Sequence, residues 1–178
     1  MTDRIRSEMV AALPRLRRFA YGLTGNSDQG DDLVQETCER ALLRIDQWKP
    51  GTRLDSWMYR IAQNIWLDRL RAVKVRGEVV DLEVVEAMPG TDGREEVDLQ
   101  LTLEAVDTAL AKLPPEQRAI VALVCIEGVS YKEAAEITGV PIGTVMSRLA
   151  RARQTLHALL GEAAPAPQQR VSIAKIGQ

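Results

Sequence analysis

Four side chains near the end of the sequence offer the clearest chemistry. Thr144, Ser147, Arg148 and Arg151 recur at spacings of three and four residues, so a helix would place two hydroxyls and two guanidinium groups on one face. Val145, Leu149, Ala152, Leu156 and Leu159 fall on the other. Guanidinium forks pair with phosphate oxygens and guanine edges, and hydroxyls bond to either, so this face suits nucleic-acid recognition rather than bond making. Residues 141–160 contain three Arg and no Lys, Asp or Glu, which is net +3 within a 178-residue chain of net charge −2. The competing reading is a solvated arginine face on an ordinary helical hairpin.

The elements that would hold this face are legible just upstream. Ser130 and Glu133 form an S-x-x-E capping box, which starts a short helix carrying Ala134, Ala135 and Ile137. Gly139 ends it, Val140-Pro141 turns the chain, and Pro141 or Ile142 opens the second helix. This is the spacing of a helix-turn-helix. Upstream, Leu101, Leu103, Val106, Ala109 and Leu110 form one helix, Leu113-Pro114-Pro115-Glu116 breaks it, and a further helix spans residues 116–127 to Gly128.

A second constellation lies in the first half of the chain. A helix following the loop Gln47-Trp48-Lys49-Pro50-Gly51-Thr52, with Thr52 as its cap, sets Arg60, Gln63, Asn64 and Arg71 on an exposed stripe beside Tyr59 and Trp66. Amides and guanidinium groups hydrogen-bond bases and phosphates, and aromatic rings stack on bases that have left a duplex. A solvated stripe over core aromatics is the alternative. Two earlier helices build the core beneath. Residues 3–23 carry Ile5, Met9, Ala12, Leu13, Leu16, Phe19, Ala20 and Leu23, with Pro14 expected to kink or restart the helix. Residues 28–46, capped by Asn26 or Ser27, bury Leu33, Val34, Thr37, Cys38, Ala41, Leu42 and Ile45 and expose Asp31, Asp32, Gln35, Glu36 and Glu39.

The mild overall charge hides separated blocks. Residues 28–46 are net −4, residues 53–76 net +4 and residues 77–98 net −7. Such segregation suits a protein that meets both a basic protein surface and a polyanion. Residues 77–97 lose periodicity, contain Pro89-Gly90 and Asp92-Gly93, and read as an acidic linker. The fold class expected is all-α, with helical domains over residues 1–76 and 98–160 and an irregular tail over residues 161–178, of which Val-Ser-Ile-Ala-Lys-Ile could dock on a partner.

With 46% hydrophobic and 27% charged residues, no apolar run of membrane-spanning length and no apolar signal segment, a cytoplasmic protein is expected. Cys38 and Cys125 stand among apolar neighbours and are expected in the core, with no metal or disulfide role. His157, the only histidine, lies among Leu156, Ala158 and Leu159 and lacks the company of a general base. No phosphate-binding glycine loop or catalytic carboxylate pair occurs, so neither an enzyme nor a cofactor is expected.

Several motifs in order resemble the extracytoplasmic-function group of bacterial sigma factors. They are Asp31-Asp32-Leu33-Val34-Gln35-Glu36-Thr37, Ser56-Trp57-Met58-Tyr59-Arg60-Ile61-Ala62-Gln63-Asn64, Leu113-Pro114-Pro115-Glu116-Gln117-Arg118, and the run from Val140-Pro141 to Arg153. The resemblance spans residues 13–160 and covers sigma regions 2 and 4. It implies a promoter-specificity subunit of RNA polymerase. Asp31, Asp32, Gln35 and Glu36 would dock on the clamp coiled coil of the β′ subunit, with region 4 near the β flap. Lys49, Arg53, Arg60, Gln63 and Asn64 would capture the −10 element. The helix from Ile142 would read the −35 element, with Thr144 on the binding face, Ser147, Ala150 and Arg151 nearest the bases and Arg148 and Arg153 on phosphates. Met146 departs from a pattern that commonly has Lys or Arg there. An anti-sigma factor is the implied regulator, and LPRLRRFAYGLTGN with WKPGTRL is similar to the general-stress factors of alphaproteobacteria. A decoy that binds an anti-sigma factor without promoter contact, and a repressor that binds duplex DNA alone, are the competing classes.

Overall fold

The computed structural model describes residues 3–75 and 94–160. Helix α1 spans Asp3–Thr24 and buries Met9, Ala12, Leu16, Phe19, Ala20 and Leu23. It runs unbroken through Pro14 rather than restarting there. Pro14 sits on the exposed side while Leu16 and Ala12 anchor the turns around it, so packing outweighs the missing hydrogen bond. Helix α2 spans Ser27–Leu43, and the Asn26 side chain accepts from the backbone N–H of Gln29 at 3.0 Å. Gly30 faces α1, where a Cβ would stand 3.4 Å from the backbone nitrogen of Tyr21, an ordinary contact.

Helix α2 stops short of the expected residue 46, and a 3-10 turn takes Ile45–Gln47. In consequence Leu42 is exposed, while Cys38 and Ile45 are only half-buried. Helix α3 spans Leu54–Val75. Thr52 does not cap it; its hydroxyl donates to the Lys49 carbonyl at 2.7 Å and closes the preceding turn instead. The three helices pack pairwise, with Phe19 and Tyr59 rings 4.9 Å apart and tilted by 56°.

The second bundle begins with α4, Arg94–Ala111, whose first turn occupies residues 94–97 that the sequence assigned to the linker. The rest of that linker, residues 77–93, and the tail beyond residue 160 lie outside the described residues. Helix α5, Pro115–Val121, opens with Pro at its first position and passes into a π-helical turn at Ala122–Ile126, not a plain helix to residue 127. Cys125 is exposed on that turn rather than buried. Helix α6, Tyr131–Thr138, has Ser130 accepting from the Glu133 N–H, and Gly139 ends it in the left-handed region at φ 70°. Helix α7, Ile142–Leu160, buries Val145, Leu149 and Ala152 against α5 and α6, while Leu156 is half-buried and Leu159 exposed.

The two bundles are docked on each other. Helix α1 lies against α5 and the π-helical turn, and α3 lies against α6. Arg118, 3% exposed, donates from Nε to the Gly22 carbonyl at 2.8 Å and so ties the start of the second bundle to the end of α1. Burial pulls its guanidinium below the ordinary value, against the opposing pull of Asp107 and Tyr21.

Candidate nucleic-acid interface

Helix α7 presents the face that its spacing predicts. Ser147, Ala150, Arg151 and Arg153 are exposed, and Thr144 and Arg148 are half-buried at its margin. Among the described residues none of the three arginines enters an ion pair, which leaves their donors for an anion. Ser147 spends its own proton on the Thr144 carbonyl at 3.1 Å, so its lone pairs face outward as acceptors. Met146 is 53% exposed in the middle of this face and contributes no charge.

The α3 surface departs further from expectation. Lys49, Arg53, Arg60 and Asn64 are exposed as foreseen. Gln63 is not, since it is 6% exposed and its Oε1 accepts no hydrogen bond from the protein. The turn of α3 carries it to the buried side of the helix instead of along the outer stripe. Tyr59 and Trp66 are likewise core residues, at 0% and 7% exposure, so the half-buried Trp57 is the ring left at the surface. Arg71 is paired with Asp68 at 2.7 Å.

Arg53 holds Asp55 at 2.6 Å and reaches Glu133 of α6 at 2.9 Å. Burial alone would raise the Asp55 pKa, but hydrogen bonds from Arg53 and the Ser56 N–H, with the charges of Arg53 and Arg15, outweigh it and hold the carboxyl below its ordinary range. Ser56 donates to Glu133 at 2.5 Å. Beside these pairs lies a cleft of about 490 Å³ lined by Arg53, Trp57, Arg60, Lys132, Glu133 and Glu136.

The acidic face of α2 resolves into unlike parts. Asp31 is gripped by Arg17 through two hydrogen bonds of 2.9 Å. Gln35 donates to Glu39 at 3.1 Å. Glu36 bridges Arg40 of its own helix at 2.6 Å and Arg69 of α3 at 2.5 Å, so it fastens α2 to α3. Asp32 is exposed and enters no ion pair among the described residues.

One buried ionic cluster escaped the sequence reading. The Glu127 carboxylate has 0% side-chain exposure and accepts from Arg15 Nε at 3.2 Å, Arg18 Nε at 3.2 Å and Tyr59 Oη at 2.9 Å, while Arg15 Nη2 also donates to its backbone carbonyl at 3.1 Å. Burial first, and the adjoining Glu127 charge and hydrogen bond second, push the Tyr59 hydroxyl pKa upward. No local pattern announces a carboxylate whose partners lie 68 to 112 residues away.

Against known proteins, residues 103–156 match the model described as "Sigma-70, region 4", and residues 9–63 match "Sigma2 domain of PhyR". The chain is 42% identical over 165 residues to the ECF RNA polymerase sigma factor EcfG of Rhodopseudomonas palustris, covering 90% of this chain and 87% of that protein. It is 39% identical to the ECF RNA polymerase sigma factor SigE of Mycolicibacterium smegmatis, covering 83% of this chain and 58% of that one. Among solved structures, the sigma factor RpoE in complex with the anti-sigma factor NepR from Bartonella quintana superposes with a TM-score of 0.73 at 31% identity, covering 92% of this chain and all of that one.

Proposed function

Because the chain belongs to the ECF RNA polymerase sigma factors, we propose that it directs promoter-specific initiation in the cytoplasm as a subunit of RNA polymerase, performing no chemistry itself. The observation that carries this reading is the coexistence of two separate exposed surfaces of opposite sign. The carboxylate-free α7 face, with Arg151 and Arg153 exposed and in no ion pair among the described residues, suits the major groove of a −35 element. The Asp32 side of α2, where Asp32 is exposed and enters no ion pair among the described residues, suits a basic protein surface such as the β′ clamp coiled coil.

Residues 3–75 act as region 2 and residues 94–160 as region 4, near the β flap. Lys49, Arg53, Arg60 and Asn64 meet the −10 element, with Trp57 as the stacking ring. Unstacking a base costs a few kcal/mol, so a ring and several cations are needed together. Gln63 contributes only if its buried Oε1 meets an extruded base from within. An anti-sigma factor restrains the protein, as in the RpoE–NepR complex. No described helix is long and apolar enough to cross a membrane.

Run-off transcription with purified core polymerase tests the reading. Initiation at a promoter selected by the reconstituted holoenzyme is the expected result. A protein that binds an anti-sigma partner yet directs no initiation is a decoy, and one that protects duplex DNA equally well without polymerase is a free repressor.

A further inference from the structure

Helix α7 exposes more than polar groups. Ile142 is 49% exposed and Met146 53%, and Ala150 is exposed as well, so at spacings of four residues they draw an apolar line along the first half of the helix. Neither Ile142 nor Met146 packs against the core among the described residues. The core takes Val145, Leu149 and Ala152 from this helix, with Val140 and Leu156 at its margin. A single exposed apolar side chain on a protein surface calls for no explanation. Met146, however, stands among groups that suit a polyanion, beside Ser147 and Arg148 and one helical turn or two from Arg151 and Arg153, with no carboxylate in residues 141–160.

The major groove offers one apolar group to such a line. Thymine carries a methyl at C5 beside its O4 acceptor, whereas cytosine presents its N4 donor and no methyl, and apolar side chains tell the two apart by contact. In a helix-turn-helix the N-terminal residues of the second helix reach the base edges, which is where Ile142 and Met146 stand. Gly143, between them, has no described atom within 4 Å of where a Cβ would lie, so the protein leaves that side of the helix open. An unbranched thioether chain with three rotatable bonds can follow a methyl group into the groove, and Ala150, one turn on, is too short to hold the helix away from the bases.

We propose that Met146 is a specificity-determining residue: its side chain packs on the C5-methyl of a thymine in the −35 element, with Ile142 shielding the contact from water. The contact rests on the promoter reading above, which places α7 in the groove. Ser147 and the arginines supply hydrogen bonds and charge, and Met146 recognises a group to which no hydrogen bond can be made.

Deoxyuridine tests this, because it is thymidine without the methyl and keeps the pairing edge and the O4 acceptor. Duplex fragments are selected with the full-length protein bound to core polymerase and, in parallel, with the full-length protein alone. Each thymine of the −35 element, on either strand, is then replaced singly by deoxyuridine. Burying one methyl group is worth about fourfold in affinity, so one replacement should weaken binding by about that factor. Met146→Ala should bind the thymine site more weakly by a similar factor and no longer distinguish thymine from deoxyuridine. Met146→Leu, apolar and close in volume, should keep the preference. Both variants should keep the natural Tm, since the side chain is no part of the core.

A −35 element with no thymine on either strand, no deoxyuridine penalty at any position, a penalty that persists in Met146→Ala, or a preference lost in Met146→Leu overturns the contact. A lowered Tm in Met146→Ala makes the side chain a packing element and overturns it too. Initiation at a selected promoter without methyl sensitivity removes the contact and leaves the promoter reading standing. A methyl-sensitive, Met146-dependent site on duplex DNA with no initiation in run-off transcription refutes the promoter reading and supports the contact. Retention of no fragment in either selection overturns both.

Discussion

Glu36 and Asp32 stand one helical turn apart on α2, and the structure gives them different surroundings, Glu36 paired and Asp32 exposed. Glu36→Gln keeps the shape of the side chain but removes the charge shared by Arg40 at 2.6 Å and Arg69 at 2.5 Å. Partly exposed pairs of this kind contribute about 0.2–1 kcal/mol each, so the variant should lose about 1 kcal/mol of stability. For a chain of this size that lowers Tm by about 2–4 °C. Burial would raise the Glu36 pKa, but Arg69 and then Arg40, through hydrogen bonds and charge, outweigh it and hold the carboxyl below its ordinary value.

The sign of the pH dependence follows from that direction. A depressed carboxyl contributes its full stability above the unfolded value of about 4.3 and loses it as pH falls through the lower folded value. The difference between Glu36→Gln and the natural protein should thus shrink toward zero below about pH 4. Asp32→Lys removes no internal contact and should leave Tm unchanged while weakening polymerase binding about fivefold or more, with the loss growing at low salt. Thermal unfolding from pH 3 to 8 and fluorescence titration with core polymerase read the two effects. Unchanged Tm in Glu36→Gln refutes the fastening role, and unchanged polymerase affinity in Asp32→Lys removes the docking assignment.

Two further substitutions probe α7. Arg151→Ala should cost about 1–3 kcal/mol of discrimination at one −35 position if the guanidinium is bidentate to a base, whereas equal losses on every sequence in a binding selection make it a phosphate contact. Met146→Arg should steepen the dependence of log K on log salt by about 0.9 if that exposed position faces a phosphate, and an unchanged slope places it away from the backbone.

The parts of the fold that were legible in the sequence are those specified by neighbours. Ser130 and Glu133 cap α6 from three residues apart, Gly139 ends it because only a residue tolerant of positive φ fits, and the buried Val145, Leu149 and Ala152 of α7 repeat at helical spacing. The errors fall where competing local solutions were equal. Thr52 could cap a helix or close a turn, and the turn won because α3 starts at Leu54. Gln63 reads as polar in sequence, yet the rotation of α3 carries it inward beside Tyr59 and Trp66. Cys125 has apolar neighbours, but the extra residue of the π-helical turn rotates it outward. The same turn delivers Glu127 to donors from α1 and α3, a coincidence in space that periodicity cannot encode.

The cross-bundle contacts differ in strength, and the difference bears on how the protein could open. Arg53 is half exposed, at 51%, and already shares its fork with Asp55, so its pair with Glu133 is of the surface kind worth about 0–1 kcal/mol. A phosphate arriving at that cleft can replace Glu133 with little loss. Glu127 is another matter, because a carboxylate with no solvent exposure cannot exchange partners until the helices part. DNA alone can therefore claim Arg53 without separating the bundles. Separation needs a partner that binds the open form better than the closed one. The prediction is directional: promoter DNA without polymerase should leave the scattering radius unchanged, and core polymerase should expose amides of the π-helical turn to hydrogen exchange.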